Sequence, residues 1–382
     1  MAEAFKDLFN KAFFDTFAGD LQLVIAGVDS CEMERRAVTD DWQNKAYKQR
    51  VTHLATVLHS FLPQDYGEGI GKVLQMLDKV KERLPDFSQI DDKNFQLLSL
   101  AYGAVLDSYV AQYGLDDYDT SVAAIERITQ FTTCEFCVRP FIIKYPERMM
   151  QQMLLWSAHH HWGVRRLASE GCRPRLPWGM ALTNLKQDPT PILPILERLK
   201  NDPSRFVRLS VANNLNDIVK DHPETVLDLA KRWKGQSKEV DWILKHGCRT
   251  LLKQGNAAAM QLFGFDATAR HIAVDGFELV SDRVAVGDVL TFRFQLQNHN
   301  DHQSLLRLEY AIYYQKANGT LAKKTHKISE KIYEAHSTTA IERKHSFRIV
   351  TTRKFHLGLH QVAVVINGKE YEKHDFELVQ QG

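Results

Sequence analysis

The stretch richest in reactive residue types is HHHWGVRRLASEGCRPRLPWG (159–179). Arg165 and Arg166 follow Trp162 at the start of a helix, and Arg173, Arg175 and Trp178 come in a proline-stiffened run. Guanidinium groups beside aromatic faces suit a phosphate backbone with an exposed base or sugar edge. On residue chemistry alone, the same stretch equally suits a loop between helical repeats, its arginines paired with carboxylates such as Glu170.

Three other clusters invite chemistry and fail on spacing. Cys134-x-x-Cys137 has no second ligand pair at the distance a structural zinc site needs, so it reads as two partly buried thiols on a helix. His159, His160 and His161 are consecutive, and on a helix they point about 100° apart and cannot all grip one ion. A helix end with one functional imidazole is expected there instead. Gly67-x-Gly69-x-Gly71-Lys72 lacks the Walker spacing and reads as a loop. No metal and no cofactor are expected.

These residues need a scaffold, and up to about residue 265 the apolar pattern is helical. Val207, Val211, Leu215 and Ile218 share one face of a helix expected over 203–220, which Asp202 caps and Pro203 begins. His222-Pro223 breaks it, and Val226, Leu229 and Trp233 resume the period in a second helix. Similar amphipathic pairs at 149–167, 191–199 and 240–252 must stack on neighbours to bury their faces, which predicts an α-solenoid with a degenerate repeat.

After Phe265 short runs alternate instead, at 277–280, 289–296, 306–314, 346–350 and 360–366, with turn signals at Asn318-Gly319 and Asn367-Gly368. A β-sandwich of immunoglobulin type fits, without the Cys-Trp-Cys core of antibody domains. The fold class is thus α + β and multidomain: helical repeats over 1–268, a linker near 264–270, and a sandwich over 269–382.

Composition bounds the rest. The 382 residues are 44% hydrophobic and 25% charged, ordinary for a globular chain of two domains. Five cysteines and early charges at Glu3, Lys6 and Asp7 point to a reducing cytoplasm without disulfides. No apolar run reaches the roughly 18 residues a membrane span needs, so no membrane partner is expected. The net charge of +2 says little, but cations cluster at 165–175, 316–331 and 343–354, where local fields can attract phosphate.

ASEGCRPRLPWG (168–179), RFVRLSVANNLNDIVKDHP (205–223), WILKHGCRTLLKQG (242–255) and CEFCVRPFI (134–142) resemble the AlkC branch of the HEAT-like-repeat DNA alkylation repair glycosylases. The C-terminal part is similar to an immunoglobulin-like extension that some AlkC proteins carry. The resemblance implies an enzyme of base excision repair, nucleoid-associated when on DNA; one binding channel makes a monomer the default, and the cysteine usage already places the chain in the cytoplasm. It would hydrolyse the N-glycosidic bond of 3-methyladenine and 3-methylcytosine in double-stranded DNA without flipping the base. From the sister AlkD branch it puts the carboxylate near Glu135, the repeat arginine at Arg165 or Arg166, and a tryptophan position at Asn213, where the aromatic is missing.

A ring-methylated base is already cationic and leaves without protonation, so one carboxylate suffices to stabilise the oxocarbenium-like sugar and orient water. Glu135 is the first choice for it and Asp202 the second, with an N-cap role competing. Trp162 would pack on the deoxyribose or the lesion's base pair, or Trp178 would supply that ring. Arg139, Arg165, Arg166, Arg173, Arg175, Arg208, Lys245 and Arg249 are candidates to hold phosphates, with Trp178 and Asn213 beside them. The basic strands of the sandwich would grip the far side of the duplex. A non-catalytic repeat scaffold is the alternative, whereas a metal-dependent nuclease or dioxygenase lacks ligand spacing.

Overall fold

The computed structural model describes residues 5–83, 99–349 and 354–380. Residues 350–353 of the basic stretch at 343–354, and with them Val350 of the strand expected at 346–350, lie outside these. The helices, in order, are α1 (Lys11–Gln22), α2 (Ser30–Ala37), α3 (Tyr47–His59), α4 (Tyr66–Arg83), α5 (Ala104–Tyr113), α6 (Tyr118–Ile128), α7 (Val138–Lys144), α8 (Pro146–Trp156), α9 (Trp162–Glu170), α10 (Thr183–Gln187), α11 (Leu193–Leu199), α12 (Arg205–Ile218), α13 (Pro223–Trp233), α14 (Lys238–Gly247), α15 (Arg249–Gln254) and α16 (Ala257–Leu262). None is long and apolar enough to cross a membrane among the described residues.

Chain contacts divide the protein into two compact units, residues 1–222 with 233–247 and residues 223–232 with 248–382. The linker expected near 264–270 falls where the last helix, α16, gives way to the first strand.

The first unit is a stack of helix pairs. On α12, Val207, Val211, Leu215 and Ile218 are all buried, as their spacing requires. Its start differs from the expectation: Ser204 occupies the N-cap position and the helix begins at Arg205. Asp202, three residues before the first helical residue, instead accepts the Ser204 backbone N–H at 2.8 Å. Gly247 at the end of α14 lets that helix approach α12, because a Cβ there would lie 2.9 Å from Leu215 Cβ.

A repeated device marks the degenerate repeat. Trp156, the last residue of α8, is buried and donates from Nε1 to Glu126 on α6 at 2.7 Å. Trp233, the last of α13, does the same to Glu197 on α11 at 2.6 Å. Residues 67–71, expected as a loop, are the first turns of α4; Gly69 is needed there because a Cβ would meet the Tyr109 hydroxyl at 2.7 Å.

Among the described residues of the second unit, eight strands form two sheets: β1 (Ile272–Leu279), β2 (Arg283–Ala285), β3 (Val289–Asn298), β4 (Ser304–Gln315), β5 (Leu321–Tyr333), β6 (Ser337–Ser346), β7 (Gly358–Ile366) and β8 (Lys369–Val379). One sheet runs β1-β3-β6 and the other β2-β8-β7-β4-β5, antiparallel except for the short β2–β8 pair. Alternate residues Leu290, Phe292, Phe294 and Leu296 of β3 meet Leu308, Tyr310 and Ile312 of β4 and Val362, Val364 and Ile366 of β7 in one core. The result is an immunoglobulin-like sandwich.

Asn367 and Gly368 close the β7–β8 hairpin with φ of 49° and 82°, as a two-residue turn demands. The strand expected at 346–350 is absent over its described part: β6 ends at Ser346, and Phe347 is buried as a core plug.

Candidate active site

Four parts of the first unit converge on a cleft of about 360 Å³: Tyr47 of α3, Asp107 of α5, Glu135 and Phe136 from the turn before α7, and Arg166 and Glu170 of α9. Arg173, Trp178 and Phe206 complete its wall. Helical spacing explains the central cations and carboxylates. Arg166 and Glu170 are four residues apart on one face of α9, and Arg173 follows Glu170 by three.

The charges form a chain. Arg166 Nη1 donates to Glu135 Oε2 at 3.2 Å and lies 4.0 Å from Glu170 Oε1 through Nη2. Arg173 donates from Nη1 to Glu170 at 2.7 Å and from Nε to Asp217 at 2.9 Å. Ser210 Oγ donates to the second Glu170 oxygen at 2.6 Å. Burial by itself would lower the Arg166 pKa, but Glu135 and Glu170 outweigh it and hold the guanidinium above its ordinary value. Burial would likewise raise Glu170, yet Arg166, Arg173 and the Ser210 hydroxyl together hold it below the usual carboxylate range. Glu135 sits at the end of this chain that opens on the cleft.

Trp178 stands at the rim, 51% exposed, with φ of 65°. A bulky residue in the left-handed region is strained, and such strain concentrates at functional sites. Its ring meets Phe5 edge-on at 5.6 Å and Tyr47 at 6.2 Å, while Lys48 Nζ donates to its carbonyl. The ring is held yet half open.

The cleft contains or supports several of the predicted residues: Glu135, Arg166, Arg173 and Trp178 line it. Others need correction. Arg139 is fully buried and donates to the carbonyls of Met180 at 2.6 Å, Gly171 at 3.0 Å and Arg173 at 2.9 Å. Burial pushes its pKa down to about 10, and it has no face open to a phosphate; it fastens from beneath the segment that presents Trp178. Arg173 is buried between Glu170 and Asp217 and is equally closed to phosphate.

Asp202 is no candidate for the chemistry, because both its oxygens are taken by Arg165, at 2.5 and 3.0 Å, and its side chain is 3% exposed. Arg165 is spent on the same pair and on the carbonyls of His159 and His160. Arg208 donates to the carbonyls of Asp202 at 2.7 Å and Pro203 at 2.9 Å and so stiffens the turn before α12. Trp162 is half-buried and stacks at 5.5 Å on Phe206, which lines the cleft while Trp162 does not. Arg175 pairs with Asp221 at the surface, and Asn213, Lys245 and Arg249 are half-buried. Of the three histidines, His161 caps α9, its Nδ1 accepting the Gly163 N–H at 3.2 Å; burial and then His159 push its pKa to about 4, which keeps it an acceptor.

Asp107 was missed. The signal was a lone carboxylate in AVLDSYVAQY, an otherwise apolar helix whose Val105, Leu106, Tyr109 and Val110 are buried. Its Oδ1 accepts the Cys137 N–H at 3.0 Å. One carboxylate oxygen and the sulfurs of Cys134 and Cys137 lie within 4.8 Å of one another. Three donors fall one short of a structural zinc set, and burial pushes both thiols up and keeps them protonated, so they read as a hydrogen-bonded core group. A larger groove of about 590 Å³ beside α7, α8 and α10 is lined by Ile142, Ile143, Met150 and Leu154, with Glu147 and Asp188 as its charges. It offers no carboxylate–arginine pair.

Residues 273–380 match the family described as the C-terminal Ig-like domain of the uncharacterised protein YhaZ. The chain is 40% identical over 339 residues to the Bacillus subtilis protein YhaZ, covering 89% of each chain. It is also similar to the solved Pseudomonas fluorescens alkylpurine DNA glycosylase AlkC, bound to DNA containing an abasic site analog. That match has a TM-score of 0.88 and 33% identity, and it covers 98% of this chain and 99% of that one. With helical region and sandwich matched together, this chain belongs to the AlkC family of DNA glycosylases.

Proposed function

We propose that this protein acts as a monomer on double-stranded DNA, hydrolysing the N-glycosidic bond of cationic N-alkylated bases such as 3-methyladenine and 3-methylcytosine without flipping them. The observation that carries the reading is Glu135: a mostly shielded carboxylate, 13% exposed, at the open end of a buried ion chain in an aromatic-rimmed cleft. The AlkC relative bound to DNA containing an abasic site analog supports the same reading.

The alkylated base carries its charge on the ring, so it departs without an added proton. As the bond lengthens, its electron pair moves to the base and positive charge moves to the sugar. Glu135 lies where it can face that charge. Arg166 fixes its orientation beforehand, and Glu170 and Arg173 fix Arg166, so little reorganisation is needed during the step. A preorganised group of this kind accounts for about 10²–10³ in rate. Trp178 offers its face to the cationic sugar or base.

Phosphates are held by the cations the fold leaves near the surface: Arg175, Lys245 and Arg249 among those predicted, and exposed Lys324, Arg343 and Lys344 on β5 and β6 of the sandwich. The test is single-turnover release of 3-methyladenine from methylated duplex DNA by wild type and Glu135→Gln, with melting as the folding control. Release by wild type and a loss of about 10²-fold or more in the folded variant support the assignment. No release by wild type at any salt concentration, with binding retained, would make the protein a scaffold.

A further inference from the structure

We propose that Asp107 is a second catalytic carboxylate, which takes the proton of the attacking water while Glu135 stays with Arg166 as the charge facing the sugar. The proposal rests on the glycosylase reading and extends it to a residue outside the predicted site.

The geometry separates two carboxylates that share one cleft. Glu135 is matched by Arg166 at 3.2 Å. Asp107 lines the same cleft from α5, is 6% exposed, and has no arginine or lysine within ion-pair distance among the described residues. Its position is fixed by the Cys137 N–H at 3.0 Å, so its carboxyl does not wander. A turn of this kind could be held equally by a serine or asparagine. A carboxylate buried in an apolar helix is a costly way to hold it unless the charge is used.

The groups facing Asp107 set its protonation. They are Tyr47 from α3, Cys134, Glu135 and Cys137 from the turn, and Arg166 and Glu170 across the cleft on α9. Burial first, and the Glu135 charge after it, push the Asp107 carboxyl up to about 7, against the opposing pull of the Cys137 N–H. Two carboxylates with environments that differ so much divide naturally into a fixed charge and a proton acceptor. An acceptor titrating near the working pH can both take a proton and shed it afterwards.

The step balances. The water oxygen bonds to the anomeric carbon, the bond from that carbon to the base nitrogen breaks with its electron pair on the base, and the water proton passes to Asp107. The cationic base leaves neutral, and Asp107 returns the proton to solvent.

The test is the single-turnover rate of 3-methyladenine release from about pH 5 to about pH 9, for wild type, Asp107→Asn and Asp107→Glu. The wild-type rate should rise with pH and level off near 7, since the acceptor works only unprotonated. Asp107→Asn keeps an oxygen for the Cys137 N–H; it should lose about 10²-fold in rate and show no rise with pH, with affinity for abasic-analog DNA unchanged. Asp107→Glu should retain the rise. Stability adds an independent readout. With its pKa raised on folding, Asp107 is protonated in the fold and ionised when unfolded between about 4 and 7. Its cost therefore grows as pH rises across that window and persists above it. Asp107→Asn should melt at or above the wild-type temperature at alkaline pH. An active wild type together with an Asn variant that keeps the wild-type rate, or keeps the rise with pH, overturns this role alone. A wild type that binds methylated DNA and releases nothing overturns it together with the glycosylase reading.

Discussion

Arg165 and Arg166 are neighbours in sequence, and each pairs with a carboxylate, yet the two pairs have opposite characters. Arg165 grips Asp202 through two bonds, with side chains 14% and 3% exposed, and Asp202 also caps the Ser204 N–H. Arg166 reaches Glu135 through one bond at 3.2 Å, and the rest of Glu135 faces a cleft. Successive helix positions point about 100° apart, so α9 aims one arginine at the start of α12 and the other at the cleft. The same ion pair is a rivet where the protein occupies the carboxylate's other contacts, and a reactive group where it leaves one face open.

Breaking the rivet should produce the largest effect. Asp202→Ala leaves Arg165 nearly buried without its partner, a loss of about 3–5 kcal/mol in stability. Thermal or denaturant unfolding measures it directly. The surviving folded fraction should still release base within a few-fold of the wild-type rate, because Asp202 does not line the cleft. Glu135→Gln inverts the pattern: melting stays near wild type, since the amide oxygen still accepts from Arg166, while release slows by about 10²–10³. Parallel losses of rate and stability in both variants would dissolve the distinction between the pairs.

How far the sequence reveals this follows from the same contrast. Apolar patterning identifies α12, α13 and the strands β1, β3, β4 and β7: β3 alternates buried with more open positions, while β4 and β7 are buried over most of their length and stand out as apolar runs. It misses β5, β6 and β8, whose lysines, glutamates and threonines leave most positions half or wholly exposed and so weaken the alternation. Within the site, the arginines are visible as a cluster and Glu170 is a local partner at three and four residues, but Glu135, Asp202 and Asp217 are 31 to 44 residues away and no local pattern says which arginine each will meet. Arg139 illustrates the limit, since a charged residue on an amphipathic helix gives no sign that three backbone carbonyls will enclose it. Asp107 was legible in principle, as the one acid of an apolar helix.

Trp178 sharpens the comparison at the cleft mouth with an effect of intermediate size. Trp178→Gly removes the ring and also relieves a backbone φ of 65° that glycine adopts freely. The lost contacts with Phe5 and Tyr47 and the relieved strain, about 1–3 kcal/mol, oppose each other. Melting should thus change little while release slows by about tenfold, a cation–π contribution of about 1–2 kcal/mol. A variant that melts far lower without losing rate would make Trp178 a packing residue.

The smallest effect belongs to Arg175, a third arginine–carboxylate pair of intermediate kind. It meets Asp221 at 2.6 Å, but the side chains are 33% and 29% exposed, and such pairs contribute only about 0–1 kcal/mol to stability. A phosphate can compete for this guanidinium as it cannot for Arg165 or Arg173. Arg175→Ala should leave melting almost unchanged and weaken binding to undamaged duplex a few-fold, with the slope of log affinity against log salt falling by about one. Asp221→Asn is the sharper variant, because it frees Arg175 without removing it. Tighter duplex binding in Asp221→Asn, lost again in the double variant, would show that a partly open pair can exchange its carboxylate for DNA. Unchanged binding would assign Arg175 to the rivets.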